Sequence, residues 1–277
     1  MKIGLITRYL NEPFLDEFIE YYFSEGINNI FILYDVESVL PISDNVKQNK
    51  HVTILNSVNF KEKQMHDVNV LYNNICDQYT WIIFIDCDEF ISCKGEQTIR
   101  HALHNDFKNV DCIKIPWVMM SSGGRKENPT SLLQELTTRW NHNLTHPHPH
   151  NWIKGRCRYD AIEVKSIVRC SKFKSLGLHH PGHPKGQYSC IESIDCKPSA
   201  LDPFFMNFHE YHIERAFMLC YHYRIYSLQS ARRKLEKNKL LGYQGKNVLQ
   251  YLIESDYSEK DELFMRNKSI MLSLIHI

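Results

Sequence analysis

Residues Trp81–Phe90 read W-I-I-F-I-D-C-D-E-F. Five apolar residues, Trp81 to Ile85, rich in β-branched and aromatic types, describe a short strand buried on both faces. The run stops abruptly at three carboxylates, Asp86, Asp88 and Glu89. A buried strand that ends in acids brings negative charge to the carboxyl edge of a sheet, where open α/β proteins bind ligands. Carboxylates two apart can converge on one hard divalent cation, which keeps positions open for phosphate oxygens. The competing reading is a strand end with solvated acids. Phe90, which returns at once to the core, favours the cation and phosphate.

Working outward, Lys2–Thr7 is predicted as a first strand. A helix follows, capped by Asn11 with Pro13 in its first turn and closed by Gly26. Asn29–Tyr34 and His51–Leu55 are the second and third strands. Met65, Val68, Tyr72, Ile75 and Tyr79 keep a helical rhythm that leads into the acidic strand. Strands and helices alternating in this way imply a largely parallel, right-handed sheet covered on both faces. Further on, a helix is expected at Thr98–Phe107, a strand at Cys112–Met120, a loop at S-S-G-G-R-K-E-N-P and a helix at Leu132–Trp140. Beyond Asn141 the pattern weakens. Lys165–Arg169 reads as a strand, Phe217–Tyr223 as strand or helix, and Ser227–Lys239 as a basic helix, while the final L-S-L-I-H-I gives no signal.

The chain has 277 residues, 43% of them hydrophobic, and a formal charge of +1. That suits a packed core and gives no global basic field for nucleic acid. No linker composition separates two domains, so one α/β domain with a less regular C-terminal third is expected. Nine cysteines, an odd number scattered through strand-like segments, fit reduced thiols. The apolar run of M-K-I-G-L-I-T-R-Y-L is too short for a signal-peptide core, and no stretch approaches the roughly 18 apolar residues that span a bilayer. The expectation is a cytoplasmic chain without a transmembrane segment.

Six segments, in order, resemble glycosyltransferases of the GT-A fold, in the group related to families 2 and 92. They are T-R-Y-L-N-E-P-F-L-D-E-F-I-E-Y-Y, I-F-I-L-Y-D, F-I-D-C-D-E-F, I-P-W-V-M-M-S-S-G-G, K-S-I-V-R and Y-H-Y-R-I-Y-S, spanning about residues 1–240. Gly124 stands where the family has a histidine, Cys170 where a proline is usual, and Tyr226 where it has a lysine. The resemblance implies one doubly covered, mostly parallel GT-A domain over residues 1–277. Residues 1–120 would form the nucleotide-sugar and metal half, 121–240 the acceptor half and 241–277 a tail. It implies a metal-dependent, inverting transfer of a hexose from a nucleotide sugar, a UDP-sugar first, to a glycan or glycoprotein acceptor.

The same resemblance makes Asp88 the main carboxylate for Mn²⁺ or Mg²⁺, with Asp86 at the metal or the donor ribose. Glu89 is a lesser candidate that also suits an internal salt bridge. Thr7 and Asp35, at two strand ends, would lie around the uracil and ribose, and Arg8 beside the diphosphate; Asp35 also suits a plain turn. A late histidine, His222, would complete the metal site or touch the diphosphate, against the alternative of a core histidine among tyrosines. Arg224 shares its face if that segment is extended. Inversion needs a base for the acceptor hydroxyl, and Glu127 and Asp160 are the candidates. His146, His148 and His150 alternate and invite a zinc reading, but the prolines between them favour an exposed loop. His179 or His180 is a site candidate because the family carries a histidine after K-S-I-V-R. Two other readings remain: a nucleotidyltransferase using the same metal site, though T-R-Y-L-N-E-P offers no glycine-rich phosphate loop, and a catalytically silent glycan-binding module.

Overall fold

The computed structural model describes residues 1–58, 64–143, 161–240 and 247–275. The chain divides into two compact units. The first comprises Met1–Pro116, Glu163–Phe204 and Arg215–Cys220; the second comprises Trp117–Ile162, Phe205–Glu214 and Tyr221–Ile277.

In the first unit, β1 (Ile3–Tyr9), β2 (Asn29–Asp35), β3 (Val52–Ser57) and β4 (Trp81–Phe84) lie parallel in the order β3-β2-β1-β4. β8 (Ala161–Arg169) then pairs antiparallel with β4 and with β6 (Cys112–Ser121), and β9 (Cys190–Glu192) runs parallel beside β6. The four parallel strands are those that the alternating elements predicted, and the antiparallel β8 makes the α/β sheet mixed. Ile6, Phe31, Leu33, Ile82 and Phe84 pack in one cluster with Val68, Leu71, Tyr72 and Ile75. The last four come from α3 (Gln64–Ile75), so that helix covers one face. Strand side chains alternate, and Leu5, Ile30, Ile32 and Ile83 are no less buried, so the other face is covered too. Burying an aliphatic or aromatic side chain of this size stabilises the fold by roughly 1.5–3 kcal/mol.

Several boundaries differ from the predicted ones for local reasons. Asn11 does not cap α1 (Leu15–Ser24). It adopts φ 58°, and its side chain accepts the backbone N–H groups of Val39 and Leu40 at 2.7 and 2.9 Å, pinning the chain that follows β2. Gly26 does end that helix, at φ 88°, where an added Cβ would strike Arg100. Between β2 and β3 lies α2 (Asp44–Gln48), unannounced by periodicity but capped by Ser43. The acids after β4 form a tight turn into β5 (Glu89–Cys93), every residue of which is buried.

The second unit contains the rest of β6, with β7 (Thr138–Arg139) antiparallel to it and β12 (Lys260–Asp261) antiparallel to β7. The helix expected over Leu132–Trp140 shrinks to α5 (Leu132–Glu135), because the T-T-R segment is drawn into strand pairing. Phe217–Tyr223, left open between strand and helix, contains strand β11 (Met218–His222). Helices Leu228–Leu240, Val248–Ser255 and Phe264–Ile275 follow, so the described part of the silent C-terminal segment, up to Ile275, is helical. Among the described residues no helix is long and apolar enough to cross a membrane.

Candidate active site

Because β1, β2 and β4 are parallel, Thr7, Arg8, Asp35 and the acidic turn all fall at one edge of the first unit's sheet. The turn closes on itself. Glu89 N–H donates to the Asp86 carbonyl at 3.1 Å, and Asp86 N–H donates to Glu89 Oε2 at 3.0 Å. Arg8 donates to Asp86 Oδ1 from Nη2 at 2.6 Å. Lys165, in the middle of β8 and fully buried, lies 2.9 Å from Asp86 Oδ2 and 3.0 Å from Glu89 Oε2. Two cations therefore face two carboxylates beneath the strand end. Burial alone would raise the Asp86 carboxyl, but Arg8 and Lys165 outweigh it and hold it well below the usual carboxylate range. Burial likewise acts to lower Lys165, and Asp86 and Glu89 overcome it, so the amine stays charged.

The remaining residues of this edge have identifiable tasks. The Thr7 hydroxyl lies 3.2 Å from Cys87 Sγ, and that thiol donates to the Arg8 carbonyl. Thr7 and Cys87 thus tie β1 to the turn. Asp35 accepts the N–H of Glu37 at 2.8 Å, which shapes the turn after β2. The Asp86 side chain is 26% exposed although salt-bridged, and Asp88 as a residue is 8% exposed. Beside these strand ends a cavity of about 270 Å³ is lined by Tyr9, Glu12, Leu15, Leu40 and Ile42, among others.

In the second unit, His222 is buried with its ring 4.2 Å from that of Trp117. Arg224 lies beyond the end of β11, so the strand does not set it on the face of His222. Glu127 is exposed in the loop after β6. In that loop Gly123 and Gly124 both take positive φ, at 60° and 80°. Asp256 clamps it by accepting the N–H of Ser122 at 2.7 Å and the Ser122 hydroxyl. Burial raises the Asp256 carboxyl against those two hydrogen bonds. A second ionic cluster lies here too. Arg139 makes a bidentate pair with Glu210 at 2.7 and 2.8 Å and reaches Glu262 at 3.1 Å. Against it sits His142, buried, with neither ring nitrogen hydrogen-bonded. Burial first, then Arg139, lowers its imidazole to about 3.

Asp160 and the His146, His148 and His150 segment lie outside the described residues. His180 accepts the N–H of Gly182 through Nδ1, a local turn contact. Among the described residues, no group of three or more histidine, cysteine, aspartate or glutamate side chains is placed to hold a metal. Sequence reasoning passed over Lys165 and Asp256. A lysine midway along the apolar strand I-E-V-K-S-I-V demands a buried anion, and that was the available signal.

Residues 9–260 match the profile of glycosyltransferase family 92. No curated protein sequence matches the chain. Among solved structures, S. aureus TarS 1–349 in complex with UDP aligns at 15% identity and TM-score 0.37 over 62% of this chain and 47% of that one. A second S. aureus TarS structure aligns at 16% and 0.38 over 65% and 30%. HddC from Yersinia pseudotuberculosis aligns at 10% and 0.37 over 78% and 98%. The chain thus spans half or less of the length of these TarS structures, and likenesses of this size carry no conclusion about ligand or reaction.

Proposed function

The chain belongs to glycosyltransferase family 92, whose profile covers residues 9–260, and from that premise we propose that it transfers a hexose from a nucleoside diphosphate sugar. The donor is a UDP-sugar, the acceptor a hydroxyl of a glycan or glycoprotein, and the anomeric centre inverts. One observation carries the reading: the parallel strands β1, β2 and β4 end together, gathering Arg8, Asp35, Asp86 and Asp88 at a single edge. Open α/β sheets bind nucleotides at such edges.

In this reading the acceptor oxygen attacks the anomeric carbon as its bond to the diphosphate breaks, and the nucleoside diphosphate leaves with the bonding electrons. Asp88 would hold a divalent ion, Mn²⁺ or Mg²⁺, which would supply positive charge against the diphosphate. His222 would meet the ion or the diphosphate. Asp86, ionised and partly exposed, accepts from the donor's ribose or meets the ion through water. Thr7 and Asp35 border the nucleoside, with the Tyr9 and Leu40 cavity next to it, and Arg224 borders the diphosphate. Arg8 acts through Asp86, since its guanidinium is engaged there. The hydroxyl proton passes to Glu127 or Asp160.

The division into donor half, acceptor half and tail belongs to the same proposal, as does a cytoplasmic setting. The eight cysteines among the described residues are free thiols, in keeping with a reducing compartment.

The test is calorimetric titration of UDP with and without Mn²⁺. Binding should tighten at least about tenfold with the ion, roughly 1.4 kcal/mol, and Asp88→Asn should remove that gain. UDP binding that ignores the ion in the unaltered protein would overturn the mechanism.

A further inference from the structure

The cluster under the acidic turn goes beyond the site's inventory. Lys165 contributes nothing to the surface: its side chain is fully buried, and its Nζ spans Asp86 at 2.9 Å and Glu89 at 3.0 Å. Those two carboxylates are three residues apart on a turn, and Lys165 is more than seventy residues later on a neighbouring strand. Arg8 holds the opposite oxygen of Asp86, so each Asp86 oxygen has its own cation. The chain around it is fixed as well. Glu89 Oε2 accepts the Asp86 N–H, and the Tyr22 hydroxyl donates to the Glu89 carbonyl at 3.1 Å. Every degree of freedom of the Asp86 carboxylate is thus restrained, yet 26% of that side chain still faces outward.

We propose that Lys165 is a positioning residue for donor binding: it fixes the exposed edge of Asp86 as a ready-made hydrogen-bond acceptor and keeps that carboxylate from swinging toward a bound cation. This rests on the donor reading above. An ion meeting either oxygen of Asp86 would be brought against Arg8 or Lys165, a like charge already at hydrogen-bonding distance. At this partly buried edge that repulsion is unfavourable. Asp86 therefore serves the donor by accepting from a hydroxyl, and the turn meets a cation through Asp88. Glu89 is the counter-charge that lets Lys165 remain ionised with no exposure.

Lys165→Met alone would leave two carboxylates facing each other and is a poor probe. The informative pair is Glu89→Gln and the double variant Lys165→Met/Glu89→Gln. Glutamine keeps an acceptor for the Asp86 N–H, and removing both charges of a buried pair is tolerated far better than removing one. The double variant is expected to melt within about 4 °C of the parent, and Glu89→Gln, in which Lys165 keeps Asp86 as counter-charge, to melt lower but remain folded at the assay temperature. UDP affinity should stay within about threefold of the parent in Glu89→Gln and fall at least about tenfold in the double variant.

A second readout needs no ligand. Carbodiimide with glycine ethyl ester, followed by peptide mass spectrometry, should modify Asp86 in the double variant and leave it protected in the parent and in Glu89→Gln. A folded double variant with parental UDP affinity overturns the proposal, whether or not Asp86 becomes reactive. So does an Asp86 equally protected in all three proteins. If the parent binds none of UDP, GDP and CDP, the donor reading itself fails. That result is recognisable because the three proteins then differ in labelling alone.

Discussion

The two ionic clusters use the same chemistry toward different ends. In the first unit, Arg8 and Lys165 grip Asp86 and Glu89 at the end of a parallel strand, and Asp86 keeps an outward edge. In the second, Arg139 and Lys260 grip Glu210, Arg139 also takes Glu262, and the Glu210 side chain is 8% exposed with both oxygens consumed. The second cluster is a strut joining β7 to the helix Glu210–Arg215 and to the segment after β12. The first is a strut whose Asp86 side chain stays 26% exposed, as the proposed donor contact requires. Salt bridging alone therefore does not distinguish a site; what distinguishes it is a carboxylate fully held from behind and still open in front.

Four perturbations break or sharpen that contrast. Lys165→Met should be the most damaging, costing about 3–5 kcal/mol in urea unfolding, because it takes the counter-charge from the fully buried Glu89 and leaves that carboxylate facing Asp86. Glu210→Ala comes next, at about 3 kcal/mol, since it leaves Arg139 with Glu262 alone. A loss below about 1 kcal/mol in either case would mean that water replaces the missing partner.

The third concerns pH. Folding holds His142 neutral, with its imidazole lowered from 6.5 to about 3. Its contribution is whole above pH 6.5 and shrinks as pH falls, by about 1.4 kcal/mol per unit, hence about 2 kcal/mol by pH 5. His142→Leu should remove about one proton's worth of that slope between pH 6.5 and 5. An unchanged slope would show that the ring reaches water. The mildest is Asp88→Asn, expected within about 1 kcal/mol of the parent in stability while the Mn²⁺-dependent gain in UDP binding disappears. A large stability loss there would make Asp88 another strut.

The core of the first unit was legible because periodicity reports burial. The runs at Ile3, Asn29 and Trp81 and the rhythm from Met65 each became the element expected. Strand β5 was not assigned from sequence because five residues directly after a charged turn are too few to show a period of their own. Asn11 misled because its residue type suits a helix cap and a left-handed clamp equally well. Within the site, the acids announced themselves through their spacing, whereas their cations did not. Arg8 and Lys165 meet Asp86 across 78 and 79 positions, and no local pattern encodes a contact of that range. Arg224 was assigned a face by strand alternation, and β11 ends before reaching it.

The clamp on the Gly123–Gly124 loop has a consequence for biosynthesis. Ser122 finds its partner Asp256 only 134 positions downstream, and Ser121 reaches Ser258 across 137. At about 5–20 residues per second, a ribosome needs roughly 7–27 seconds to add that intervening stretch. Throughout that interval Ser122, whose hydroxyl accepts the Gly124 N–H, lacks the carboxylate that holds it. A nascent chain truncated before Asp256 would carry this loop without its clamp, so this part of the second unit matures last.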